Sequence, residues 1–559
     1  MAKDVASDIE RFALANAFQY NGKANPSAVL GKILAGHPEL KKDVKKIMTE
    51  INKIISEVNK MPIKQQEEKL LKIFPEFFEK KTKEEEKKEL PDMPNAKEGK
   101  VVMRLAPFPS GALHLGHAKT YGLNALYADK YKGKLILVMD DTVGSEEKAP
   151  MAESYDLITD GFKWLDIRWD GPIVYKSDRL EIYYKYAEEL IKKGATYVCE
   201  CAAEKLRENR AAGKECVHRK QSLKETLEKW NDMRKGKYKE GQAALRLKTS
   251  MQNPNPAFRD RVLFRISDKS HPRAGKKYKV WPMLEFSWAI DDHLLGITHV
   301  FRGNELKIET EMCKFIWDIL KWDYPTITHT GLLRIEGVKI SKSKAQKEVL
   351  SGTYSGWDDP RTWSLQSLRR RGIQPHAVMD FVRSIGPNQN DITVPIDNLY
   401  AINRKLLDPV AHRYSFVMEA VKIDVKNAPD IKEVEIKLHP EKEEEKKKVP
   451  IGKSFYIQKR DFNLRGTEVR LMHLYNIKLD LKSEFISREN KDIPRIHWVP
   501  VDFSVKTDVV MPDGNITSGF AEKNVEKLKV DDIIQFERFG FCRLDKKDKD
   551  KIIFCFAHG

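Results

Sequence analysis

The amino-acid sequence predicts a multidomain α/β protein, with a helical module at one end and one or two β-barrels at the other. Three observations predict it. Strand-like apolar runs alternate with helix-like segments from Gly99 to about Tyr197 and resume at Val280, as in a parallel sheet covered by helices. Upstream, Ile47, Ile51, Ile54, Ile55 and Val58 recur at helical spacing. Beyond about residue 425 the texture changes to short β-like runs separated by turn residues.

Residues 1–78 read as an N-terminal helical module, a candidate for docking another protein, and 79–98 as a charged linker that ends in Pro91-Asp92-Met93-Pro94. The first half of the α/β domain spans 99–197, with strands at 101–106 and 135–139 and helices near 151–164 and 178–193. Residues 198–280 form an insertion, rich in charge and poor in long apolar runs, before the second half at 281–344. A mostly helical connection is expected over 345–425, and the barrels over 426–559. Val469–Met472, Ile477–Leu479, Ile496–Val499, Ile533–Phe536 and Ile552–Phe556 are their candidate strands. The charge run from Glu441 to Lys448 reads as a solvated hairpin tip.

The chain has 100 Lys and Arg against 83 Asp and Glu, a net charge of +17. That excess favours an anionic partner, nucleic acid before a membrane surface. No run approaches the ~20 apolar residues that span a bilayer, and the N-terminal residues lack an apolar signal core, so a cytoplasmic protein with no membrane association is expected. Six cysteines in 559 residues make no disulfide framework.

The chemistry concentrates in Pro107-Phe108-Pro109-Ser110-Gly111-Ala112-Leu113-His114-Leu115-Gly116-His117. This reads as a tight loop between a strand and a helix, where phosphate meets the positive end of the helix dipole. Gly111 lets backbone approach a ligand, and Gly116 leaves room for a flat base. Two histidines at i and i+3 share a helix face; alone they could equally be surface histidines or an incomplete metal pair. Lys339-Ile340-Ser341-Lys342-Ser343 makes a cationic loop able to close on a pyrophosphate leaving group.

With both motifs in this order, the chain resembles the class I aminoacyl-tRNA synthetases. Arg104–Gly111, Asp140-Asp141-Thr142, Gly296–His299, Gly356–Arg361 and Leu368–Gly372 resemble their glutamyl/glutaminyl subgroup, and the β-type C-terminus resembles its archaeal and eukaryotic members. The resemblance implies a Rossmann-like catalytic domain, an acceptor-stem-binding insertion at 198–280 and a C-terminal anticodon-binding region. It implies glutamate activation by ATP with Mg2+, then transfer to tRNA(Glu), or also tRNA(Gln), by a monomer. His114, His117, Lys339 and Lys342 would be catalytic. Pro107, Phe108, Pro109, Ser110, Gly111, Gly116, Asn304 and Ser341 would complete the ATP site. Arg302 and Arg104 would pair the γ-carboxylate and Asp140 the α-ammonium, with Ala106, Leu284 and Trp288 lining the pocket. Leu284 stands where the subgroup has a tyrosine, Trp288 replaces a polar residue, and Val138-Met139 replaces Arg-Phe, so the pocket is more apolar than the family pattern.

Cys199, Cys201, Cys216 and His218 form two ligand pairs suited to structural Zn2+, which would staple a core-poor insertion. Cys313, Cys542 and Cys555 read as packing. Candidate RNA contacts are Arg246, Arg259, Arg261 and Arg265, then Arg369-Arg370-Arg371, Arg404-Lys405, Lys459-Arg460, Arg465 and Arg470. The alternatives are a glutaminyl enzyme, which Arg302 argues against, and a non-catalytic tRNA-binding paralogue, which the intact motifs argue against.

Overall fold

The computed structural model describes residues 3–19, 22–37, 40, 43–74, 77, 89–143, 149–338 and 341–559. Expected linker residues 79–88, Lys339 and Ile340 lie outside them. The chain divides into two compact units, Met1–Glu89 and Leu90–Gly559.

The first unit holds helices α1 (Lys3–Gln19), α2 (Pro26–Gly36), α3 (Val44–Val58) and α4 (Ile63–Ile73). Ile47, Ile51, Ile55 and Val58 bury one stripe of α3 against Ile9, Ala13 and Ile33. Asn25 caps α2 by accepting from the backbone of Ser27 and Ala28.

In the second unit, β1 (Val102–Leu105) runs into the Pro-rich loop and then α5 (Leu115–Lys130). Strand β2 (Lys134–Met139) pairs in parallel with β1 and with β3 (Val174–Tyr175), α6 (Ala152–Trp164) crossing between. After α7 (Leu180–Lys192) comes an antiparallel sheet of β4 (Thr196–Cys199), β5 (Ala244–Leu247), β6 (Val262–Ile266) and β7 (Val280–Pro282), with α8 (Ala203–Ala212) and α9 (Leu223–Arg234) between β4 and β5. Helix α10 (Leu284–Leu294) then leads to β8 (His299–Gly303), α11 (Lys307–Leu320) and β9 (Thr326–Thr330), the two strands parallel. Thr298 donates its N–H to Val102 O and accepts from Val102 N on its hydroxyl, which sets β8 beside β1. The carboxyl ends of β1, β2 and β8 therefore share an edge, and Arg104, Asp140 and Arg302 stand there. Strand β10 (Leu333–Glu336) and α12 (Lys342–Leu350) follow.

Three expectations need correction. The insertion is not core-poor: Trp230, Leu245, Leu247, Leu263 and Phe264 are buried together, in one core with α10 and α11. Its apolar residues are spread over short strands, so no long run betrays them. The helical connection ends at Leu407, and 412–426 already belongs to barrel strands. The charge run is a hairpin tip only at Glu441; from Lys442 it continues as the strand Lys442–Pro450, antiparallel to Glu433–His439, with Lys447 buried against Arg413 O and Glu522. Two seven-stranded, barrel-like sheets fill the C-terminal region, and each has its own aromatic and aliphatic core.

Candidate active site

The loop after β1 is locked by backbone bonds: Asp140 N donates to Pro107 O (3.0 Å) and Met151 N to Pro109 O (2.8 Å). Gly111 has φ +139°, and a Cβ there would lie 2.2 Å from the Trp357 ring. The glycine thus admits Trp357, whose indole N–H bonds Glu153 (3.0 Å). A Cβ on Gly116 would sit 3.0 Å from the His114 imidazole, so the missing side chain makes room for that ring, and the glycine also lines the adjoining cavity.

His114 is the N-cap of α5. Its Nδ1 accepts from Gly116 N (3.1 Å), and His117 Nδ1 accepts from His114 N (3.3 Å). The rings stack with centroids 3.7 Å apart. A ring nitrogen that accepts carries no proton, so each neutral imidazole holds its proton on Nε2. Burial, then the charge of Lys342, lowers the His114 pKa to about 3. Burial, with His114 and Lys342 beyond it, holds His117 well below the usual range. Both rings are therefore neutral single donors at neutral pH.

Ser341 caps α12, accepting from Lys344 N (3.3 Å), and Lys342 Nζ donates to Phe108 O (2.8 Å). That bond joins the two motifs across the cleft. His114, His117, Lys119, Arg334, Ser341 and Lys342 line a cavity of about 670 Å3, within the range of small-molecule sites. Asn304 donates its amide N–H to Gln389 O (2.7 Å).

A second cavity of about 600 Å3 shares His117 and Lys342 with the first and is also lined by Ala106, Phe108, Ser110, Asp140, Leu284 and Trp288. Arg104 and Arg302 are not among the described residues lining it. They lie against the Trp288 ring, 6% and 3% exposed, with guanidinium carbons 5.1 and 4.5 Å from its centroid. Arg104 clasps Asp292 through Nε and through Nη2 (3.2 Å), and Arg302 Nη2 reaches the same carboxylate at 3.4 Å. Arg302 Nη1 also donates to Thr310 Oγ1 (3.1 Å). Lys176, fully buried, lies 2.9 Å from Asp140 and donates to Ser287 Oγ (2.8 Å). Three cations against two carboxylates leave this cluster one positive charge. Sequence reasoning missed Asp292 and Lys176. A paired Asp291-Asp292 following the apolar Trp288-Ala289-Ile290 was the available signal.

The four metal-type residues do converge. Sγ of Cys199 and Cys216 are 3.7 Å apart, and His218 Nδ1 is 3.5–4.0 Å from the three sulfurs. A tetrahedral ion with ~2.3 Å Zn–S bonds needs ligand separations of about 3.8 Å, so the cluster is compatible with zinc. His218 Nε2 faces Glu200 at 3.5 Å, the orientation that leaves Nδ1 for a metal. Arg246 Nη1 donates to Cys199 Sγ (3.6 Å) and is buried, which removes it from the RNA-contact candidates. Arg371, buried on Ala557 O, and Arg261, paired with Glu285 and Glu309, are also structural. Cys313, Cys542 and Cys555 are buried as expected.

Among the described residues no helix is long and apolar enough to cross a membrane. Residues 100–409 match the family model for the catalytic domain of class I tRNA synthetases (E and Q). Residues 411–498 and 495–545 match two models of the anti-codon binding domain of the same class. The glutamate–tRNA ligase of Pyrococcus furiosus is 45% identical over 98% of both chains. That of Pyrococcus abyssi is 46% identical over the same shares. That of Methanocaldococcus jannaschii is 42% identical, again over 98% of each.

Proposed function

The chain belongs to the class I E and Q tRNA synthetases, and on that premise we propose that it attaches glutamate to tRNA in two steps. A glutamate α-carboxylate oxygen attacks the α-phosphorus of ATP, and pyrophosphate leaves. The glutamyl group then passes from the adenylate to the terminal ribose hydroxyl of tRNA, releasing AMP. The observation that carries this reading is the likeness to glutamate–tRNA ligases over nearly the whole chain, catalytic and anticodon-binding parts together.

In this reading the first cavity takes ATP. The Nε2–H groups of His114 and His117 donate to its phosphates, and Lys342 with Lys339 stabilises the charge that develops at the α- and β-phosphates. No protein nucleophile is needed. Mg2+ would accompany the nucleotide and offset phosphate charge. The second cavity takes glutamate, its ammonium on Asp140 and its side-chain carboxylate toward Arg302 and Arg104. The net positive charge of the buried cluster suits an anion and leaves a neutral amide uncompensated. Cys199, Cys201, Cys216 and His218 would hold Zn2+, whose role is to fix the fold of an insertion that receives the acceptor stem. The barrels would read the anticodon, and the protein would act in the cytoplasm.

Charging tRNA(Glu) and tRNA(Gln) with labelled glutamate and with labelled glutamine tests the reading. Glutamate should be attached and glutamine not; charging with glutamine alone, or no tRNA-dependent ATP–pyrophosphate exchange with glutamate, overturns it.

A further inference from the structure

Trp288 separates the amino-acid cavity from the cations that should receive the substrate side chain. It lines the cavity, while the Arg104 and Arg302 guanidinium groups lie against its ring and are almost wholly buried. Lys176 Nζ adds a third cation 5.6 Å from the centroid. The indole N–H has no hydrogen-bond partner, although the residue is only 6% exposed. Its neighbour in the same core, Trp317, is pinned by a bond from Nε1 to Ala289 O (2.7 Å). Trp288 is thus held by ring faces against cations and by nothing directional, whereas Arg302 stays anchored on Thr310 and Asp292.

We propose that Trp288 is a specificity-determining gate: the substrate side chain reaches Arg302 by displacing the indole from the guanidinium face, which a γ-carboxylate does and a γ-amide does not. The physical reason is a competition for one cationic surface. A carboxylate pairs a desolvated guanidinium by charge-assisted, bidentate hydrogen bonds, which outweigh the attraction of a ring quadrupole. An uncharged amide oxygen gains too little to dislodge the ring, so binding energy opens the pocket only for the anion. The inference rests on the proposed glutamate activation and deepens it.

The test compares the full-length parent enzyme with Trp288→Phe and Trp288→Leu, measuring kcat/KM for glutamate and glutamine in tRNA charging. Leucine cannot offer a ring face, so W288L should narrow the preference for glutamate at least tenfold, mainly through a gain with glutamine. W288F should stay within threefold of the parent, and KM for ATP within twofold in both. A folded W288L that keeps the parent's preference overturns the gate. If circular dichroism shows that W288L does not fold, the parent decides. W288F removes one of ten tryptophans, so the parent-minus-W288F emission isolates Trp288. Saturating glutamate should shift that difference spectrum and equal glutamine should not; no shift with glutamate overturns the gate. A parent that charges no glutamate would instead overturn the proposed function, so the two failures are distinct.

Discussion

His114 and His117 are three residues apart in one helical turn, whereas Arg104 and the Asp292 it clasps are 188 residues apart and meet only through the fold. The nucleotide end of the site is local. Its tautomers are set by neighbouring backbone N–H groups, and Gly116 makes room for the His114 ring two residues before it. The amino-acid end is assembled from β1, α10 and β8, and its charges meet only when all three pack. A local device tolerates change elsewhere, while a buried charge cluster fails as a unit, because removing one partner strands the rest.

The comparison is broken first at the amino-acid end. Arg302→Gln removes the charge that makes the cluster cationic and leaves Asp292 to Arg104 alone. Losing one partner of a buried charge pair costs about 2–5 kcal/mol, so kcat/KM for glutamate should fall by about 10^3, with KM for ATP little changed. A loss shared equally between ATP and glutamate would mean that the two ends are not separate.

The next effect belongs to the cleft between them. Lys342→Ala cuts the bond to Phe108 O and removes a cation from both cavities. Loss of one preorganised donor to developing charge typically costs about 10^2–10^3 in rate, so adenylate formation should drop by that factor while tRNA binding in a filter assay stays within twofold. Unchanged pyrophosphate exchange would exclude Lys342 from the chemistry.

How much was legible in the sequence follows the same division. The His114–His117 turn, the lysine loop and the Cys199–His218 ligand pairs are short-range patterns, and the chain alone displays them. The partners of Arg104 were not legible, because nothing in the spacing of Asp292 says which arginine it will meet. Gly111 was read as freedom for a ligand, yet the atom it avoids is in Trp357, some 250 residues on in the chain and brought there by packing. Periodicity also hid Lys442–Pro450, since a block of acids followed by a block of lysines reads as a solvated run until Lys447 finds Glu522.

Gly111→Ala probes that packing and should cost less than either charge variant. The new Cβ meets the Trp357 ring at 2.2 Å in a backbone region that L residues rarely adopt. Strain of about 1–3 kcal/mol is expected, read as a lower denaturation midpoint. KM for ATP should rise with it, because Trp357 packs beneath the loop that precedes His114. A destabilised enzyme with unchanged KM for ATP would show that the loop is structural scaffolding only.

The smallest effect is a pH dependence that should be missing where histidine chemistry would place one. His114, lowered to about 3, and His117, held well below 6.5, keep neutral imidazoles through the physiological range. At saturating ATP, kcat for adenylate formation should therefore show no inflection near pH 6.5. The linkage appears instead in stability. A folded pKa below the unfolded value of about 6.5 means that the unfolded chain binds more protons as pH falls from 6.5 toward 3. Above pH 6.5 the histidines contribute nothing to the pH slope; below it they progressively destabilise the fold. His114→Asn keeps a capping acceptor but cannot titrate, so its denaturation midpoint should fall less steeply than the parent's between pH 6 and 4. Parallel curves would mean that the His114 ring is protonated in the folded protein as readily as in the unfolded chain, and that its capping bond does not fix its tautomer.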